Sequence, residues 1–232
     1  MKKLLIITLV ALLTAGISSV AMANGAGAGI VGSPHDFSAE AWNGRLELCR
    51  VCHVPHDHSL ATQYYLNGLL WNHKVSSATY TMYSNAWSST LDGIQSAQPD
   101  GTAKLCLGCH DGTVGIDTFD KYAGGTVFIT TYDPGFKVPG FTDGTNLDLR
   151  GTHPISIAYN AVADTNLKDP AATAMGVSGV INDVLDNGKV QCSTCHDVHD
   201  QESVANTHLL RVAQTIGQGG VASGLCLTCH IK

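Results

Sequence analysis

Hydrophobic residues form one long uninterrupted run in this chain, Leu4 to Gly16, behind the positive Met1-Lys2-Lys3 and ahead of Ala21-Met22-Ala23. That order of charge, apolar stretch and small-residue cleavage site predicts a secretory signal peptide over 1–23, with the mature chain starting at Asn24. The run up to Ala23 is almost long enough to span a bilayer, so an uncleaved anchor is the alternative. No charged flank follows it, and the Ala-x-Ala site favours cleavage. Past Ala23 nothing is apolar enough to span a membrane, and apolar positions do not recur at helical spacing over long stretches. Short helices are expected where each of four cysteine motifs begins. A further one is expected over Ala172 to Val184, weakened by Gly176 and Gly179. Thr126-Val-Phe-Ile-Thr-Thr-Tyr132 has the composition of a short strand or hairpin. Turns are expected at Asp133-Pro-Gly135, Pro139-Gly140 and Asp143-Gly144. The predicted fold class is therefore mostly irregular, loop with short helices and a few short strands.

Composition sharpens this picture. With 25 glycines and 14% charged residues, such a chain buries little apolar surface by itself, and a large flat cofactor would supply the missing core. Without Lys2 and Lys3 the chain keeps 11 basic against 19 acidic side chains, a formal charge of −8, and none of the basic residues cluster. Nucleic acid and anionic membranes are poor partners for it, and stable membrane insertion is not expected.

The eight cysteines carry the chemistry. All fall in four CxxCH motifs: Cys49-Arg-Val-Cys52-His53, Cys106-Leu-Gly-Cys109-His110, Cys192-Ser-Thr-Cys195-His196 and Cys226-Leu-Thr-Cys229-His230. This is the c-type haem attachment signature. Two thiols add across the haem vinyl groups, and the next residue places its imidazole on the iron. A disulfide framework or zinc knuckles would use the cysteines, but neither explains a histidine after the second cysteine every time. With 11 histidines in 232 residues, that recurrence by chance is on the order of 10⁻⁵. Four haem c groups are expected, with His53, His110, His196 and His230 as proximal iron ligands.

The motifs alternate in kind. The first and third read CxxCHxxH, ending at His56 and His199; the second and fourth read Leu-Cys-Leu-x-Cys-His. An isolated histidine precedes each pair, His35 and His153, and another lies inside each, His73 and His208. This reads as a duplicated dihaem module: an N-terminal arm and first module over 24–112, a Gly/Thr-rich linker over 113–152, and a second module over 153–232. The mature chain holds only Met82 and Met175 as alternative axial ligands, so bis-histidine ligation is expected, which favours low reduction potentials. His35, His56, His73, His153 and His199 are the favoured distal ligands, with His208 and His58 weaker. These five exceed the four required. His56 and His199 each follow a proximal histidine by three residues, a reach of about 10 Å. A ligand on so short a tether serves a neighbouring haem rather than the opposite face of its own.

His35-Asp-Phe-Ser, Cys49-x-x-Cys-His-Val-Pro-His56, Leu70-Trp-Asn-His73, Leu107-Gly-Cys-His-Asp-Gly112, His153-Pro-Ile and Leu225-Cys-Leu-Thr-Cys-His230 resemble the extracellular multihaem c-type cytochromes of metal-reducing bacteria, the OmcE-type tetrahaem filament-forming cytochromes in particular. The resemblance runs across most of the mature chain. It implies electron transport along bis-histidine haems, no enzyme activity, and an irregular fold polymerising end to end with copies of itself. It also implies upstream periplasmic or outer-membrane cytochromes as donors and extracellular electron acceptors. In such filaments a histidine of one subunit completes a haem of the next, and His35, behind the Gly/Ala arm from Asn24 to Pro34, is suited to that reach. Only Ile231 and Lys232 follow the last CxxCH histidine in this sequence, so the fourth haem is expected near a molecular tip. A soluble periplasmic shuttle would use the same motifs. A multihaem reductase would need an open iron position, and no CxxCK motif is present to suggest one.

Overall fold

The computed structural model describes residues 29–54, 70–120, 125–138 and 147–231. His56, His58, the leader over 1–23 and the turns at Pro139-Gly140 and Asp143-Gly144 lie outside the described residues. Most of the rest is turn and loop, with short helices and one small sheet. Helix α1 spans Gly101–His110, α2 Ile129–Tyr132, α3 Ile181–Val184, α4 Cys192–Cys195 and α5 Gly224–Cys229. Strands β1 (Ile157–Ala158) and β2 (Lys189–Val190) pair antiparallel, Ile157 opposite Val190. No helix among the described residues is long and apolar enough to cross a membrane.

Three of the motifs lie on helices: α4 starts at its first cysteine, as expected, whereas α1 and α5 start ahead of theirs, at Gly101 and Gly224. The first closes a single helical turn without continuing it: the His53 N–H donates to the Cys49 carbonyl at 2.8 Å. The same bond recurs from His196 to Cys192 at 3.0 Å and from His230 to Cys226 at 2.9 Å. One turn of helix brings the two thiols and the imidazole to one side, because residues three and four apart share a face.

Two expected elements differ. The stretch predicted as a strand over Thr126–Tyr132 turns into helix α2. The Asp117 carboxylate takes the N–H groups of Gly125 and Val127 at 2.8 and 3.3 Å and the Thr126 hydroxyl at 2.7 Å, so the start of a strand is already bonded. The Phe128 carbonyl then collects the N–H groups of Thr131 and Tyr132. With no facing strand among the described residues, β propensity loses to local bonding. The helix expected over Ala172–Val184 is confined to its last four residues. Gly176 and Gly179 take positive φ, +58° and +86°, and a Cβ on Gly176 would collide with the Arg211 carbonyl oxygen. The chain doubles back there instead, with Met175 N–H bonded to the Gly179 carbonyl at 2.8 Å.

The apolar interior is divided into small clusters. Tyr80, Leu107 and Leu149 form one, flanked by Ala78, Met82, Val138, Leu147 and Ile155. Phe37, Val51 and Phe119 form another, against Trp42 and Cys52. Between them, buried polar side chains do what sheet ladders do elsewhere, satisfying backbone and each other. Buried Asp120 binds Arg45 at 2.7 Å and Arg50 at 2.8 Å and accepts from Asn72 Nδ2 at 2.9 Å. Asp100 joins the two halves of the chain, accepting from Lys189 at 2.5 Å and Gln191 at 2.8 Å. Thr102 on α1 meets Ser193 on α4 hydroxyl to hydroxyl at 2.7 Å. The two halves are thus in direct contact through these groups.

Candidate metal centres

The eight thiols are unpaired by disulfides, and their environments place the motifs in chain order. Burial, then Cys106 and Cys49, push the Cys52 thiol up to about 12. Cys106 and Cys192 lie within hydrogen-bond reach, which raises the Cys192 thiol well above its ordinary value. Burial, then Cys229 and Cys226, raise Cys195 to about 11. First neighbours second, second neighbours third, and third neighbours fourth.

The histidines fall into pairs. His35 stands against His110 with ring centres 6.0 Å apart, His53 against His199 at 6.3 Å, and His153 against His230 at 6.3 Å. Each pair joins one motif histidine to one that is outside the motifs. The separation has a chemical meaning. A ring-centre separation of about 6 Å leaves room for a metal ion that both imidazoles would ligate at about 2 Å. Among the described residues no three His, Cys, Asp or Glu side chains converge as a cluster for a metal ion. Pairs rather than clusters would suit a metal whose other ligands come from a group that the polypeptide does not itself supply.

Hydrogen bonds orient several of these rings. Nδ1 of His110 lies 2.5 Å from the Phe136 carbonyl, that of His196 2.8 Å from the His208 carbonyl, and that of His153 2.9 Å from the Pro154 carbonyl. A carbonyl fixes the proton on Nδ1 and leaves the lone pair on Nε2, the arrangement that prepares an imidazole for a metal. His35 lacks this anchor: its buried Nδ1 has no hydrogen-bond partner, and neither has buried Nε1 of Trp71, whose ring stands edge-on to His53 at 5.7 Å. Buried polar atoms are rarely left unpaired, so these two, beside motif histidines, fit a group that the polypeptide does not itself supply. Burial, then His110, His199 and His196, push His35 down to about 4, so it is a neutral imidazole at ordinary pH.

The remaining histidines behave differently. His199 sits beside His53 of the first motif rather than His196 of its own. His35 lies against its own chain's His110, while Gly29 of the arm donates to the Asp200 carbonyl at 3.1 Å. His208 is exposed and its ring rests on Phe136 at 5.4 Å. His73 is fully buried and pairs with no motif histidine; Nδ1 lies 2.8 Å from the Lys74 carbonyl and Nε2 3.1 Å from the Gly115 carbonyl. For His196 no partner histidine ring is found among the described residues.

Sequence reasoning missed the residues that hold this frame: Asp117, Asp120, Arg211 and Gln214. Arg211 donates to the Ser193 carbonyl at 3.1 Å and to Glu202 at 2.5 Å, bracing the third motif. Gln214 accepts from Leu225 N–H at 2.9 Å at the start of α5. Polar residues in loops carry no periodic signal, so nothing in the sequence marked them. Comparison with models of known protein families and with curated proteins returns no match.

Proposed function

We propose that the chain is a tetrahaem c-type cytochrome that conducts electrons, exported by its leader and assembled end to end into an extracellular haem filament. The observation that carries this reading is the set of three imidazole pairs at 6.0–6.3 Å, each built on a CxxCH histidine. Haem c, when bound, supplies the one-electron Fe(III)/Fe(II) couple. The chain's own part is to fix and order the sites. Cys49 and Cys52, Cys106 and Cys109, Cys192 and Cys195, and Cys226 and Cys229 form the thioethers. His53, His110, His196 and His230 would be the motif ligands, and His199, His35 and His153 would complete the first, second and fourth sites.

For His196, His56, His58 and His208 remain. The repeat favours His56, since His199, its counterpart, serves the other CxxCHxxH motif. Ligands exchanged between two motifs would hold the two sites close, and the chain-order contacts among the cysteines suit a continuous row from first to fourth. Imidazole pairs at three of the four motifs favour electron transfer over catalysis. A partner cytochrome at one end and an extracellular acceptor at the other complete the path.

Cryo-electron microscopy of material sheared from cells expressing the protein tests the proposal. Filaments with an unbroken haem row are expected. Discrete particles with four closed haems would make it a diffusing periplasmic shuttle, and a high-spin haem binding cyanide rapidly at His196 would favour a reductase.

A further inference from the structure

His73 invites assignment as an iron ligand, because it is a lone histidine between two haem motifs. Its surroundings say otherwise. The ring is fully buried, and both nitrogens face backbone carbonyls, Lys74 at 2.8 Å and Gly115 at 3.1 Å. In His110, His153 and His196 a carbonyl takes Nδ1 alone. In His73 Nε2 also lies beside a carbonyl, that of Gly115, and 3.4 Å from the Cys109 sulfur; a neutral ring has one N–H, so one of the two carbonyls accepts from it and the other only packs against it.

The second half of the chain gives an internal control. Val54 N–H donates to the Leu70 carbonyl and Asn72 N–H to the Cys52 carbonyl; in the same frame Asp197 N–H donates to Leu209 and Arg211 N–H to Cys195. Leu70 and Leu209 even share the left-handed conformation, φ +51° and +61°. This register sets Trp71 against Leu210 and His73 against Val212. His208, its apparent counterpart in the sequence, falls four residues earlier in register than His73. A position that is valine in one copy is not part of a repeated ligand set.

The packing explains what His73 does instead. Helix α1 approaches so closely that a Cβ on Gly108 would stand 2.8 Å from the Lys74 carbonyl oxygen. The ring therefore ties the 70–76 segment, the 115–116 loop and the thiol end of α1 together. We infer that His73 is a positioning residue for the second haem site, holding Cys109 and the helix that carries His110, and that it binds no iron. This rests on the tetrahaem reading above.

The test compares the full-length, haem-loaded protein with His73→Ala and His73→Gln, the latter retaining an N–H donor. Electron paramagnetic resonance counts low-spin haems and spectroelectrochemistry reads the midpoints. Both variants are expected to keep every low-spin bis-histidine haem of the parent. One midpoint should shift in His73→Ala and return toward the parent value in His73→Gln. Appearance of a high-spin haem in His73→Gln, restored to low spin by added imidazole, would make His73 a ligand and overturn the inference. Unchanged midpoints in both variants would equally sink the positioning role. If the parent itself carried no haem, the tetrahaem reading would fail first, so the two failures are distinguishable.

Discussion

The second and fourth motifs share the pattern Leu-Cys-Leu-x-Cys-His, yet their helices live in different surroundings. Leu107 on α1 is 1% exposed and packs with Tyr80 and Leu149. Its counterpart Leu227 on α5 is only half-buried. The difference comes from the longer first half, whose additional residues between motifs provide Tyr80, Met82 and Gln98. Gln98 holds the Tyr80 backbone from both sides, at 2.8 and 2.9 Å, and the Tyr80 hydroxyl donates to the Asp111 carboxylate just past His110. The second half lacks that insertion and closes its helix with Gln214 and the Lys168 ammonium, which donates to the Leu227 carbonyl at 2.6 Å. The same motif is thus mounted once in a packed interior and once near the surface.

The comparison is sharpened first at the iron sites, where the expected effects are largest. His35→Ala and His153→Ala should each convert one low-spin haem to high spin, read by magnetic resonance, while leaving covalent attachment intact. An unchanged spectrum in either would break the equivalence of the two halves. Next, Leu107→Ala should destabilise the protein by about 2–5 kcal/mol, whereas Leu227→Ala should cost about 1 kcal/mol or less, compared by denaturant unfolding. Equal costs would mean that α1 is no better packed than α5.

Gly108 and Thr228 occupy the same motif position and extend the contrast. Gly108→Ala forces a Cβ against the Lys74 carbonyl and should cost about 1–3 kcal/mol. Thr228→Ala loses only the hydroxyl bond to the Gly224 carbonyl, 3.0 Å long, and should cost about 1 kcal/mol.

The smallest effect is expected at acid pH. Burial alone would raise the Asp120 carboxyl, but hydrogen bonds from Arg50 and Asn72 and the charges of Arg50 and Arg45 outweigh it and hold the group below the usual carboxylate range. A depressed folded value stabilises the protein above the ordinary carboxylate pKa of about 4 and is lost as pH falls below that. Asp120→Asn should therefore flatten the acid limb of the stability profile. An unchanged limb would show that the Arg45–Arg50–Asp120 cluster contributes nothing there.

The loop-dominated fold and the motif helices were legible because they depend on local composition: many glycines, few charges and one helical turn per CxxCH. The lost strand at Thr126–Tyr132 was not, because the Asp117 carboxylate that takes its N–H groups is nine residues away from Thr126. The chain length between His196 and His199 makes service to the same iron awkward, and the structure does place His199 beside His53. Which ring faces which was beyond sequence, since the partners are 146 residues apart in that case and 75 between His35 and His110. His73 shows the opposite problem. Its local context suits a ligand, and only the fold, which buries the ring between the Gly115 carbonyl and the Cys109 sulfur, in register with Val212, points elsewhere.

The central claim is covalent haem at all four motifs, and the intact mass of the purified mature protein tests it most directly. The account predicts the polypeptide from Asn24 plus four haems, with low-spin absorption. The mass of the bare chain would contradict it, and with it the filament.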